Sequence, residues 1–202
     1  MGAEAQYSYV KKLHYYSRSD PECKAKYILK NYERFPKMVE GYQSNWEIII
    51  KAEKRYNQEA DKGDLGVRVQ KSGTSNPTMN EAIANIEIEE AHSESELRLV
   101  LRGTDNLDQH IREKLIIQDM QDDYTIMRNA IHALGKKEEE MFLRYLLKED
   151  ETLQDLATEF HMDLANFKKQ IYNIKKSVIL STVECIDLKY SFIHRRASDE
   201  EE

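Results

Sequence analysis

Cysteine, proline and glycine are all scarce in this 202-residue chain, with two, three and seven copies respectively. Each scarcity excludes something. Cys23 and Cys185 stand far apart, so no disulfide framework is expected and a reducing cytosol is the expected setting. So few glycines and prolines favour helices. No apolar run is long enough to span a bilayer, and the first residues lack the apolar core of a signal peptide. The histidines are His14, His92, His110, His132, His161 and His194, and none pairs with cysteine or carboxylate at a recognisable metal spacing. Phosphate-loop spacing is also absent. No catalytic constellation appears, so the expectation is a non-enzyme without metal or cofactor.

A positive net charge is missing too. The chain carries −7 with 33% charged residues and a mean hydropathy of −0.75, which fits a soluble, surface-rich protein. That balance argues against a protein that coats nucleic acid nonspecifically. It leaves room for a site-specific binder, because the charge is segregated. Acid concentrates in residues 87–98 and in Asp199 to Glu202. Base concentrates in an N-terminal arm (Lys11, Lys12, Arg18, Lys24, Lys26, Lys30), in His194-Arg195-Arg196, and in residues 164–181, which hold no acid at all.

The acid-free stretch belongs to the most informative part of the chain, residues 134–176. Three short apolar stripes follow one another there at helical spacing. The first is Met141, Phe142, Tyr145 and Leu146. The second is Leu153, Leu156, Ala157 and Phe160. The third is Phe167, Ile171 and Ile174, on a segment that also carries Lys168, Lys169, Lys175 and Lys176. Thr152 is placed to cap the second helix with Asp155 three residues on, and Asp163 to cap the third. Ala157 is small where two helices should cross closely. His161-Met162 forms the turn with Met162 inward, and with no glycine there His161 must take a positive φ. A small helix crossed on a basic helix is how side chains are laid into the DNA major groove. A plain three-helix packing unit with a solvated lysine face would give the same pattern.

This segment resembles the region-4 domain of sigma-70-type factors, through Phe142-Leu143-Arg144-Tyr145-Leu146 and Leu153-Gln154-Asp155-Leu156-Ala157. No promoter-melting region accompanies it. Leu164 and Ala165 also replace the polar residues usual at the start of the recognition helix, and would suit thymine methyl groups. A second stretch, residues 64–83 (DLGVRVQKSGTSNPTMNEAI), is similar to the ArpU/RinA-type late-gene activators encoded by phages of Gram-positive bacteria, as are Asn31-Tyr32 and the helix after them. The resemblance implies a small regulator with a C-terminal sigma-like helix-turn-helix, activation of phage late genes in the cytoplasm of a bacterial host, and host RNA polymerase as a candidate partner.

The rest of the chain reads as helices. Residues 5–17 carry Tyr7, Val10, Leu13 and Tyr16 on one face. Asp20-Pro21 caps and starts a second helix with Tyr27, Ile28 and Tyr32, ending near Pro36. A third, from about 36 to 60, turns Met38, Val39, Tyr42, Trp46, Ile49 and Ile50 inward. Residues 61–77 alternate like a strand (Leu65, Val67, Val69) beside a Gly/Ser/Asn/Pro loop. Thr78 and Glu81 suggest a capping box for a helix to about 102, broken at Gly103-Thr104-Asp105-Asn106. A further helix carries Leu107, Ile111, Leu115, Tyr124, Met127, Ile131 and Leu134. The six tyrosines Tyr7, Tyr9, Tyr15, Tyr16, Tyr27 and Tyr32 lie among lysines, as in single-strand binders, but their spacing also fits a packed helical face. In the 62–78 loop, Arg68, Lys71, Ser72, Gly73, Thr74 and Ser75 can contact a phosphate or a minor groove, or the loop is a connector docked on the helices. The runs around Glu87 and Glu138 read as solvated helix faces.

The expected fold is mainly α: an N-terminal helical body with a short strand-like hairpin or loop, then a C-terminal sigma-70 region-4-like helix-turn-helix. The expected divisions are 1–60, 61–78, 79–133 (an oligomerising helical region), 134–182 (DNA binding) and 183–202 (a tail). The expected function is sequence-specific recognition of double-stranded DNA by a phage or prophage transcriptional regulator. Lys168, Lys169 and Tyr172 lead into the groove, Leu164, Ala165, Asn166 and Asn173 flank them, and Lys175 and Lys176 anchor phosphates. Arg68, Lys71, Arg195 and Arg196 are candidate backbone contacts. A homodimer is expected, because one small helix-turn-helix rarely binds tightly alone and the body has a surplus of apolar positions. The alternatives are a small-terminase-like recognition subunit for phage DNA packaging, which would form a ring, and a helical module whose lysines bind an acidic protein.

Overall fold

In a computed structural model the described residues are 2–62, 86–88, 90–147 and 151–199, with side chains described for 9–57, 86–88, 90–147 and 151–191. The chain is mainly helical, and no strand occurs among the described residues. The helices are α1 (Gly2–Arg18), α2 (Pro21–Lys30), α3 (Phe35–Lys62), α4 (Glu94–Val100), α5 (Leu107–His132), α6 (Lys136–Leu146), α7 (Leu153–Glu159) and α8 (Leu164–Asp199). The strand-like stretch after residue 62, the Thr78–Glu81 capping box, and Arg68 and Lys71 lie outside the described residues. No helix among the described residues is long and apolar enough to cross a membrane.

Two compact units form, and they do not follow the linear divisions expected from sequence. One takes residues 1–13 and 40–118, the other residues 14–39 and 119–202. Helices α1, α3 and α5 contribute residues to both.

The first unit buries Tyr9, Leu13, Trp46, Ile50, Leu97, Leu101, Ile111 and Ile117. Trp46 is fully buried and its indole N–H donates to the His110 carbonyl at 2.9 Å, which satisfies the one polar atom of a large apolar side chain. The single helix expected over 79–102 is instead interrupted at 91–93. Ser93 is the reason. Its hydroxyl accepts from the Glu96 amide while the Glu96 carboxylate accepts from the Ser93 amide, a capping box that starts α4 afresh. Helix α4 ends at Val100, and Gly103 turns the chain with φ +87°, a left-handed angle that glycine adopts without strain. Asn57 on α3 then holds this turn, donating to the Gly103 carbonyl at 2.9 Å and to Asp105 at 3.0 Å.

The second unit is built around α8, against which α2, α6 and α7 pack. Asp20 caps α2 by accepting from the Cys23 amide at 2.8 Å, with Pro21 in the first turn. The N-terminal tyrosines are mostly core here. Tyr16, Tyr27, Tyr32, Phe35 and Tyr124 form a chain of ring contacts with centroids 5.5–6.4 Å apart, while Tyr15 faces solvent. Residues 183–199, expected as a tail, continue α8 as helix. The continuation has packing to hold it: the buried stripe Phe167, Ile171, Ile174, Val178 extends through Thr182 to Ile186. One turn on, Lys189 pairs with Asp123 at 2.6 Å and Asp119 at 3.1 Å. Asp123 is fully buried and also accepts from the Tyr16 hydroxyl at 2.9 Å, so this buried carboxylate is both charge-paired and hydrogen-bonded. Lys24, one of the bases of the N-terminal arm, is buried as well. Its ammonium donates to the Tyr190 hydroxyl and lies over the Tyr190 ring, so it is withdrawn from any surface role.

Candidate nucleic-acid interface

Helices α6, α7 and α8 present the basic segment, and local chemistry sets each junction. Met141 and Phe142 on α6 are buried, as are Leu156 and Ala157 on α7 and Phe167, Ile171 and Ile174 on α8. Phe160 and Phe167 stack at 6.3 Å. Arg144, in the middle of the Phe142–Leu146 run, ties α6 to both ends of α7 through Glu151 at 3.0 Å and Glu159 at 3.2 Å. These pairs are half-exposed, so they orient more than they stabilise. Helix α7 begins with the Thr152–Asp155 capping box expected from sequence, both reciprocal bonds being present. The Thr152 hydroxyl, donating at 2.6 Å, and the Thr152 amide, donating at 2.9 Å, hold the Asp155 carboxyl below its ordinary value.

The turn from α7 into α8 is a Schellman motif. The His161 amide donates to the Thr158 carbonyl at 3.0 Å and the Met162 amide to the Ala157 carbonyl at 2.9 Å. The motif needs a left-handed residue at its centre, and His161 supplies it with φ 55° in place of the usual glycine. Met162 is half-buried. Asp163 then caps α8, accepting from the Asn166 amide at 2.9 Å. The bond from the Asn166 amide, opposed by desolvation and helped by the Asn166 side chain, leaves the Asp163 carboxyl below its ordinary value.

Lys168, Lys169, Tyr172, Asn173, Lys175 and Lys176 are all exposed on α8, together with Ala165 and Asn166, while Leu164 is half-buried. The four lysines have no ion-pair partner among the described residues. Tyr172, 65% exposed, stands among them as a large solvent-facing ring. The Asn166 side-chain amide donates to the Asp163 carboxylate, so part of its hydrogen-bonding capacity is engaged at the cap. The candidate backbone contacts Arg195 and Arg196 fall in the last turns of α8, with side chains outside the described set. Twenty residues of helix, roughly 30 Å of axis, separate them from Lys175 and Lys176 along α8. Sequence reasoning missed that α2 lies against α8 and brings Lys26 and Lys30 beside Lys175. The basic arm was visible, but no local pattern says which later helix it meets.

Among the described residues no group of three or more His, Cys, Asp or Glu is arranged to hold a metal ion. No family model, curated protein or solved structure shows significant similarity to this chain.

Proposed function

We propose that this chain is a sequence-specific regulator that binds double-stranded DNA through a sigma-70 region-4-like helix-turn-helix formed by α7 and the N-terminal half of α8. The observation that carries the proposal is the exposed, acid-free face of α8, where four lysines without an ion-pair partner among the described residues surround Tyr172 behind a capped Schellman turn. Unpaired cations on a helix aimed outward by a fixed turn are what backbone attraction and groove reading both need. Lys168, Lys169 and Tyr172 would meet base edges, Ala165 thymine methyl groups, and Lys175 and Lys176 phosphates. The acidic remainder of the chain suppresses indiscriminate binding. The resemblance to ArpU/RinA-type proteins extends the proposal to activation of phage or prophage late genes in a bacterial cytoplasm, with host RNA polymerase as a partner and two copies on paired half-sites.

Selection of duplexes from a random pool by the full chain, followed by gel shift, tests this. A recovered consensus is expected, and Lys168→Ala with Lys169→Ala should weaken binding to it by roughly 1–3 kcal/mol per lost base contact at unchanged melting temperature. Failure to enrich any sequence, or unchanged affinity in the double variant, would remove the recognition role.

A further inference from the structure

Beside the exposed lysines of α8 runs an open groove of about 540 Å³, lined by Lys26, Leu29 and Lys30 of α2, Tyr145 and Leu146 of α6, and Lys175 and Ile179 of α8. Among the described residues that line it, three are lysines and none is acidic. Lys30 and Lys175 have no ion-pair partner among the described residues. Among the described residues Lys26 pairs only with Glu22 of its own helix, an exposed contact at 2.5 Å, which solvent and salt screen easily. Leu29, Leu146 and Ile179 give an apolar floor along which lysine stems can lie while the ammonium groups stay at the rim.

The groove is continuous with the candidate reading face. Lys168, Tyr172, Lys175 and Ile179 follow one another at helical spacing, so they form a single stripe along α8. The far end of that stripe is the wall of the groove. A helix 10–12 Å across seated in a major groove about 12 Å wide has a phosphate strand close on each side. An element packed against the flank of that helix therefore stands over one of those strands. We infer that α2 is a second DNA-contacting element, in which Lys26 and Lys30, together with Lys175, clamp the phosphate backbone flanking the bases read by α8. This rests on the proposed DNA-binding function. The clamp is sequence-independent, because phosphates carry no base information.

Salt dependence of binding by the full chain separates the clamp from the reading face. The probes are a duplex recovered by selection and a scrambled duplex of the same composition. Lys26→Ala with Lys30→Ala should weaken binding to both duplexes by the same factor. It should also make the slope of log affinity against log salt shallower by roughly 0.9 for each phosphate contact removed. Glu22→Gln, which frees Lys26, should tighten binding to both. Lys168→Ala with Lys169→Ala should instead hit the selected duplex harder than the scrambled one. If the α2 variant leaves affinity and slope unchanged while the α8 variant weakens binding, α2 does not touch DNA and the inference falls while the proposed function stands. Loss of discrimination between the duplexes in the α2 variant would make α2 a base reader, which also overturns the clamp. If the unaltered chain shows no salt-dependent binding to either duplex, both readings fall and an acidic protein becomes the occupant of the groove.

Discussion

His110 sits between two carboxylates in the first unit, with one ring nitrogen 2.7 Å from Glu53 and the other 3.9 Å from Glu113. Burial works against its cationic form, but the two carboxylates outweigh burial and raise its pKa above the ordinary 6.5. Glu53 is pushed up by burial, yet bonds from the Asp105 amide and His110 outweigh that and leave it below its ordinary 4.5. The signs follow from linkage. The raised histidine contributes stability that is complete below pH 6.5 and is lost as pH rises through its folded pKa. The depressed carboxylate contributes stability above pH 4.5 that is lost as pH falls through its folded pKa. The pair is therefore most stabilising between those values. Denaturant unfolding should show higher stability at about pH 5.5 than at about pH 8, and His110→Gln should flatten that difference; an unchanged difference in the variant would place its origin elsewhere. None of this was readable in sequence, because Glu53 and His110 are 57 positions apart and only the meeting of α3 and α5 joins them. His161 is the opposite case. Its positive φ followed from the lack of a glycine between two helical stripes, and the structure has it at 55°. A left-handed non-glycine residue costs roughly 1–2 kcal/mol, partly offset by glycine's greater freedom when unfolded. His161→Gly should leave stability unchanged or raise it by up to about 1 kcal/mol, and His161→Val, β-branched, should lower it; chemical denaturation of the pair checks the ordering.

Two helix starts set by caps were legible in the sequence, and a helix end that depended on distant partners was not. Thr152 with Asp155 and Asp20 with Pro21 start α7 and α2 as their residue types dictate. Thr152→Ala should cost about 1 kcal/mol, read as a shifted denaturation midpoint. The inward stripe of α8 was also legible, since Phe167, Ile171 and Ile174 recur at 3.6-residue spacing and are all buried. Phe167 is fully buried, so Phe167→Ala should cost about 3–5 kcal/mol and DNA binding should fail with the fold; a variant that keeps its melting temperature would mean the helix is rotated. The end of α8 was misread because what keeps it helical past residue 182 lies elsewhere in the chain. Ile186 alone is a weak periodic signal, whereas Lys189 is fixed by Asp119 and Asp123 on α5. In the first unit, Ser93 with Glu96 is as plain a capping box as Thr152 with Asp155, yet the periodic run on either side of it concealed the break.

The apolar surplus that argued for two copies is largely covered within one chain. Trp46, Ile50, Ile111 and Met127 are buried, and Ile49 and Leu115 half-buried, within the single chain. Sequence could show that these side chains needed cover. It could not show that the cover comes from the chain itself, because two compact units assembled from non-adjacent segments leave no trace in local periodicity. The argument for a homodimer then reduces to recognition: two half-sites let two weak recognition helices act together. This yields a whole-molecule expectation that separates folding from pairing. A fold completed by a second copy gains stability by mass action, so its melting temperature climbs with protein concentration. A fold completed in one chain does not. The melting temperature of the free protein should be constant over a hundredfold range of concentration, and Trp46→Ala should lower it by the same amount throughout that range, since the indole packs and donates to His110 inside its own unit. Light scattering on the complex with a palindromic duplex should nevertheless find two chains per duplex. A melting temperature that rises with concentration would return the apolar stripes to a subunit contact, and a single chain per palindrome would leave the reading face of α8 to bind with whatever help α2 provides.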